Sequence, residues 1–208
     1  MAKNKNSDVD TVSRCTWCGE DPLYVDYHDT VWGRPEVDSR RLFEKLCLDG
    51  QQAGLSWITI LRKQETYRQA YDDFNPEKIV RYTQRKKDAL LKNPGIIRNR
   101  LKVDSIIKNA RGYLAMQEEE IAFNEFLWSF VDGRPIQNQW QSMQEIPVNT
   151  PESEAMSKAL KKWGFTFVGS TICYAFMQAV GMVNDHFAHC HCWQDCYELG
   201  KSFPEPFS

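Results

Sequence analysis

Apolar residues recur at helical rather than strand spacing along most of this chain. Leu42, Phe43, Leu46 and Cys47 share one face of a helix that Asp38-Ser39 can cap. Ser56 opens a second run, Trp57-Ile58-Thr59-Ile60-Leu61, which is expected to continue as one helix through Tyr67 and Tyr71. Asn75-Pro76 combines a capping side chain with proline at the first helical position. Pro94-Gly95 breaks the pattern before Ile96-Ile97, Leu101, Ile106-Ile107, Ala110 and Tyr113-Leu114. Phe126 to Phe130 forms a further short apolar helix, ended by Asp132-Gly133-Arg134-Pro135. A polar loop runs from Asn138 to Pro151, after which Ser153 caps a helix through Leu160. No sustained apolar/polar alternation is bounded by hairpin turns, so the pattern predicts an all-α fold. Residues 1–13 and 193–208 are expected to be tails around a single unit over 14–192, in one lobe or two.

The stretch from Leu160 to Tyr174 predicts a helix, a tight glycine-bearing turn and a second helix. Gly164 can end the first helix in a left-handed conformation. Gly169-Ser170-Thr171 can start the next, with Ser170 or Thr171 as cap, and its free backbone N–H groups would suit a DNA phosphate. Helix-glycine-helix joints are also common in packed cores, so this pattern alone is a weak signal. The turn holds no lysine to act as an amine nucleophile, which argues against a Schiff-base lyase step.

Composition narrows the class. The chain has 208 residues, 42% of them apolar and 26% charged, enough to bury a core. Its 26 basic and 28 acidic residues give a net charge of -2, which excludes polyanion binding by bulk charge. Charge is nevertheless uneven. Between Arg81 and Arg111, ten basic residues stand against Asp88 and Asp104, and Lys158, Lys161 and Lys162 form a second group. A solvated face and a phosphate-binding face both remain open. The first residues lack the apolar core of a signal peptide, and no apolar run would span a bilayer, so a cytoplasmic location is expected. There the seven cysteines stay reduced.

Cys47 and Cys173 lie in apolar helical patterns and are expected to pack. The other five, Cys15, Cys18, Cys190, Cys192 and Cys196, gather near the two ends of the chain. All four histidines accompany them, as His28 follows the first pair while His186, His189 and His191 cluster with the second group. Thiolate and imidazole suit tetrahedral zinc, and two ligands from each end would tie the ends together. Four protein ligands leave no open position, so the site would be structural. Spacing does not select which four of the nine candidates bind.

Longer strings carry more information. Asp21-Pro22-Leu23-Tyr24, Tyr27-His28-Asp29, Trp32-Gly33 and Gly50-Gln51-Gln52-Ala53-Gly54-Leu55-Ser56-Trp57-Ile58-Thr59 occur together with Gly95-Ile96-Ile97-Arg98, Gly164 to Gly169 and Asn184-Asp185-His186. With these the chain resembles the DNA-3-methyladenine glycosylase I family from about Cys15 to Cys190. The resemblance implies a helix-hairpin-helix repair glycosylase in which a structural zinc ion joins the N- and C-terminal segments. It places the zinc ligands on Cys15, His28, His186 and Cys190. It sets Tyr27 and Trp57 against a flipped base, with Trp17, Tyr24 and Trp32 lining the same cavity. Leu55 would fill the gap left by the extruded nucleotide, and Gly169, Ser170 and Thr171 would meet the DNA backbone.

One position departs from the family, which usually carries glutamate where this chain has Asp49. The carboxylate would contact the modified adenine, and aspartate shortens its reach by roughly 1.5 Å, one C–C bond. Asp185 is a second candidate, but it directly precedes His186 and is expected to be structural. The implied reaction is hydrolysis of the N-glycosidic bond of 3-methyladenine in alkylated duplex DNA, by a monomer that releases the free base. The rival reading is a non-catalytic binder of alkylated or distorted DNA, its activity lost or altered by Asp49. A zinc-dependent hydrolase is disfavoured by the full ligand set.

Overall fold

The computed structural model describes residues 12–203. It is mostly helical: α1 (Pro22–Thr30), α2 (Ser39–Gln52), α3 (Trp57–Leu61), α4 (Gln64–Ala70), α5 (Pro76–Ile79), α6 (Gln84–Lys92), α7 (Arg100–Glu118), α8 (Phe123–Trp128), α9 (Pro151–Lys162), α10 (Ser170–Ala179) and α11 (His191–Lys201). The start signals act locally. Asp38 accepts from the Arg41 N–H at the head of α2, and Asn75 accepts from the N–H groups of Glu77 and Lys78, with Pro76 following. The α2 face of Leu42, Phe43, Leu46 and Cys47 is fully buried, as is Cys173 on α10. This puts α2 at the centre, against α3, α7 and α10. No helix is long and apolar enough to cross a membrane among the described residues.

Several expectations are corrected. The run from Ser56 to Tyr71 is two helices, because the chain turns at Arg62-Lys63. Thr150, not Ser153, caps α9; Ser153 is the reciprocal partner that bonds back to the Thr150 N–H. The helix at Ser170 starts from Gly169, with neither Ser170 nor Thr171 capping it. The fold is not purely α. Residues Ile136–Gln137 (β1) and Val183–Asn184 (β2) pair in parallel, bonded by Ile136 N–H to Met182 O at 2.9 Å and Asn138 N–H to Asn184 O at 3.3 Å. Two residues per strand are too few to show alternation.

The expected C-terminal tail is also different. Residues 191–201 form α11, with Cys192 and Cys196 buried one turn apart. The Trp193 indole donates to Asn138 O at 2.7 Å, and Phe203 packs on Trp128 with ring centroids 4.4 Å apart. Residues 1–11 and 204–208 of the expected tails lie outside the described residues. The two helices expected between Leu160 and Tyr174 are present as α9 and α10, joined by residues 163–169, and Gly164 follows the end of α9 at φ +80°.

Candidate functional site

Two groups of side chains grow from α1. Asp21 caps it, accepting from the Leu23 and Tyr24 N–H groups, with Pro22 at the first helical position. Tyr24, Tyr27 and His28 follow at spacings of three and four, hence on neighbouring faces of one helix. Tyr24 and Tyr27 turn toward α2 and α3, and His28 toward the C-terminal segment.

On the first side lies a cavity of about 270 Å³, suited to one aromatic base. Tyr27 and Trp57 both line it, with ring centroids 5.5 Å apart and planes tilted by 42°. Trp17, Tyr24 and Trp32 line it too, and Trp17 meets the rings of Tyr24 and Trp32 edge-on at 5.1 and 5.0 Å. Asp49 and Lys45 from α2 supply charge, and Gln52 and Gln178 supply amides. The five expected aromatic residues and Asp49 therefore share one void.

Asp49 is 1% exposed. Its Oδ1 is ion-paired with Lys45, one helical turn earlier, while Oδ2 has no hydrogen-bond partner among the described residues. The indole N–H of Trp57 is likewise buried without one. Burial pushes the Asp49 carboxyl above its ordinary value and Lys45 below its own, and their mutual attraction opposes both shifts. The Lys45 ammonium also lies 3.9 Å from the centroid of the Trp57 ring. Burial raises the Tyr27 hydroxyl well above the usual phenol range, so this group stays protonated.

The motif between Asp49 and Trp57 divides its tasks. Gln51 donates to Lys102 O at 3.1 Å and accepts from the Tyr67 hydroxyl at 3.3 Å. Lys102 returns the contact, donating to Gln51 O and Ala53 O at 2.7 Å each. A cation thus satisfies carbonyls at the C-terminal end of α2, where the helix dipole favours one. Lys102 belongs to the basic run but is only 7% exposed, which removes it from any phosphate-facing surface. Leu55, by contrast, projects from the turn between α2 and α3 and is 41% exposed. At the hairpin, Ser170 Oγ accepts from Asn149 at 3.1 Å, and there is open space around Gly169.

On the other side, Cys15, His28, His186 and Cys190 are all buried and offer ligand atoms within 4.8 Å of one another. They form a group that could hold a metal ion. Cys15 Sγ lies 3.6 Å from His186 Nδ1, and Cys190 Sγ lies 3.5 Å from His28 Nε2 and 3.6 Å from His186 Nδ1. The opposite nitrogens are held from outside: His28 Nδ1 by Asp29 at 2.7 Å and His186 Nε2 by Trp32 O at 3.1 Å. Gly33 makes this possible, because a Cβ there would come within 2.8 Å of His186 Nε2. Hydrogen bonds from Cys15 and Cys192 hold Cys190 far below the usual thiol range despite burial, and Cys15 is pushed up by the same contact. Against the cost of burial, Arg14, His28 and His191 hold Asp29 well below the usual carboxylate range. Asp29, His191 and Cys192 also cluster with His28, but Asp29 there meets the ring nitrogen that faces away from Cys190.

Asp185 lies outside the cavity lining. Its carboxylate accepts from Asn138 at 2.7 Å, Trp140 at 2.8 Å, Tyr174 at 2.6 Å and Gln178 at 2.8 Å. That full complement makes it a fastener for the loop, β2 and α10. The sequence reading missed Lys45 and Gln178 as lining residues. For Lys45 the available signal was its i,i+4 relation to Asp49 on a helix whose neighbouring face is apolar.

Known proteins match this chain over most of its length. A sequence-family model described as methyladenine glycosylase matches residues 17–193. DNA-3-methyladenine glycosylase of Haemophilus influenzae is 53% identical over 180 residues, covering 86% of this chain and 97% of that protein. A crystal structure of 3-methyladenine DNA glycosylase I superposes with a TM-score of 0.85 at 55% identity, covering 86% of this chain and 99% of the other. A Staphylococcus aureus structure, described as showing the structural basis of 3-methyladenine recognition, superposes at 0.83 with 39% identity, covering 86% and 95%.

Proposed function

The chain belongs to the methyladenine glycosylase family, and from that premise we propose that it excises 3-methyladenine from alkylated duplex DNA. The observation that carries this reading is the single cavity shared by Tyr27, Trp57 and an unsaturated carboxylate on Asp49. Methylation at N3 makes adenine cationic, so the base leaves as a neutral molecule and little acid catalysis is required. The enzyme's task is to extrude the nucleotide and bind a flat cation. Tyr27 and Trp57 offer ring faces to that cation, and Asp49 offers an oxygen to its amino edge. Buried negative charge also favours the oxocarbenium character that develops on the sugar as water attacks. An unmodified adenine brings no charge and keeps a strong glycosidic bond.

Incubation with methylated duplex DNA followed by chromatography of released bases tests this. Free 3-methyladenine is the expected product; retention of the DNA without base release would favour the non-catalytic binder and overturn it. No lysine stands in the turn over 163–169, in keeping with hydrolysis without a lyase step.

The helix-hairpin-helix reading assigns the DNA-facing surface to the turn before α10 and to Leu55. Gly169, Ser170 and Thr171 present backbone N–H groups at the start of a ten-residue helix, where a phosphate is favoured. An exposed leucine in the turn between α2 and α3, two residues before Trp57, suits the gap left in the base stack. Leu55→Ala should lower base release from duplex DNA by about tenfold, the scale of one unstacking contact. Affinity for free 3-methyladenine should stay constant, since that ligand needs no flipping; equal losses in both assays would refute the wedge.

The Cys15, His28, His186 and Cys190 group fits a structural zinc ion. Ideal tetrahedral Zn–S and Zn–N bonds put sulfur and nitrogen about 3.6 Å apart, the separation found for three pairs here. Asp29 and Trp32 O orient the imidazoles so that one nitrogen of each faces the thiols. Zinc would supply no chemistry to the base; it would fix α1, and with it Tyr27, against the C-terminal segment. Cysteines that form no disulfide among the described residues, together with a DNA substrate, agree with a cytoplasmic location.

A further inference from the structure

We propose that Lys45 is a specificity-determining residue: its ammonium, in the wall of the base cavity, already holds Asp49 and the Trp57 ring, the two groups a cationic base would use, and so competes with an incoming base for them. The inference rests on the base-pocket reading above. A methylated purine and Lys45 compete for the same two partners, since the ammonium is ion-paired with Asp49 and stands 3.9 Å from the Trp57 centroid. Asp49 Oδ2 and the Trp57 indole N–H remain buried without partners among the described residues, so the pair leaves hydrogen-bonding capacity unused beside the cavity.

Lys45 also has somewhere to go. Its side chain is 14% exposed and forms the wall between the base cavity and an adjoining groove of about 630 Å³. That groove has a mixed lining, with Glu36 paired to Arg41, Glu44 paired to Arg68, and Arg34 and Asp73 beside them, so the displaced ammonium would enter a polar, open surface. A four-carbon stem with free torsions can swing between the two positions without moving α2.

The consequence is a threshold. A cationic base replaces what Lys45 gives up, because it brings charge to both Asp49 and Trp57. A neutral base brings stacking alone and leaves the cost of displacement uncompensated. Excision converts the first kind of ligand into the second: once the glycosidic bond breaks, the freed base is neutral and the ammonium can return. Lys45 thus raises the barrier to undamaged adenine and helps expel the product.

Lys45→Met keeps the unbranched stem and removes the charge, Lys45→Gln is a second neutral form, and Lys45→Arg restores the cation. Two probes are titrated by tryptophan fluorescence: 3-methyladenine, and the fixed cation 3,9-dimethyladeninium. The methionine variant should bind 3-methyladenine at least about tenfold more tightly than the wild type, and product inhibition of base release should tighten in parallel. The cation should also gain affinity, and arginine should return both ligands toward wild-type values. A residue that merely positioned Asp49 would give weaker binding on removal. Unchanged or weaker affinity for both probes in the neutral variants would therefore overturn the proposal. Should the methionine form not fold, the glutamine form decides by the same criterion. Base release by the wild type, measured on the same preparation, separates the two readings: no release defeats the glycosylase assignment, whereas release without tighter binding in the variants defeats only the role of Lys45.

Discussion

Asp49→Asn should lower kcat/KM for 3-methyladenine release by about 10²- to 10³-fold, the range for loss of one preorganised charge at a reacting group. The carboxylate is 1% exposed and turned into the cavity, so its field is weakly screened by water. The amide keeps the shape but removes the charge that answers both the cationic base and the developing positive charge on the sugar. It also strands Lys45, so melting should be followed in parallel. Asp185→Asn makes the informative contrast. That side chain accepts four hydrogen bonds from Asn138, Trp140, Tyr174 and Gln178, and an amide would turn a donor toward some of them. A stability loss of about 2–4 kcal/mol is expected, or about 5–15 °C in melting temperature for a domain of this size. Release measured well below that melting point should change less than in Asp49→Asn. The reverse order would move the electrostatic role from α2 to Asp185.

The second large effect concerns the metal. Purified protein should carry one zinc ion per chain, and Cys190→Ala or His186→Ala should abolish it. Each substitution leaves three buried ligands facing one another, one thiol with two imidazoles after Cys190→Ala and two thiols with one imidazole after His186→Ala, which the ion would otherwise neutralise and orient. A loss of about 3–5 kcal/mol, on the scale for breaking a buried charged pair, corresponds to a fall on the order of 10 °C or more. Chelation of the unmodified protein should give a similar fall. Cys18→Ser is the control: Cys18 is buried but donates to Cys15 O at 3.1 Å and lies outside the four-residue group. Metal content from elemental analysis, set beside thermal melting, decides between the two sets. Full zinc occupancy in Cys190→Ala would dismantle the assignment.

These two predictions differ in how far the chain alone supports them. The four metal candidates stood out because cysteine and histidine are rare and were concentrated near both ends of the chain. Spacing left nine candidates, the resemblance selected four, and the structure brings those four within 4.8 Å. Tyr27 and Trp57 belong to strings specific enough to be marked before any fold is known, and Asp49 is marked as the departure directly before one of them. Lys45 is not. On sequence it is one lysine on an amphipathic helix, and an i,i+4 pair with aspartate is what a solvated face would also show. Lys102 illustrates the same limit, as it counts with nine other basic residues in the run from Arg81 to Arg111 yet is buried against backbone carbonyls.

The helical face of Leu42, Phe43, Leu46 and Cys47, the start signals at Asp38 and Asn75, the break at Gly164 and the residue types of both sites were determined by the chain itself. Each depends on contacts within a few residues, or on motifs whose chemistry belongs to the side chains they contain. Tertiary structure alone decided which charges point inward. It also decided that Asp185 is saturated by four donors, that residues 191–201 pack as a helix, and that Ile136–Gln137 pairs with Val183–Asn184. The partners in those contacts lie tens of residues away, or the outcome depends on burial, and a local pattern holds neither kind of information.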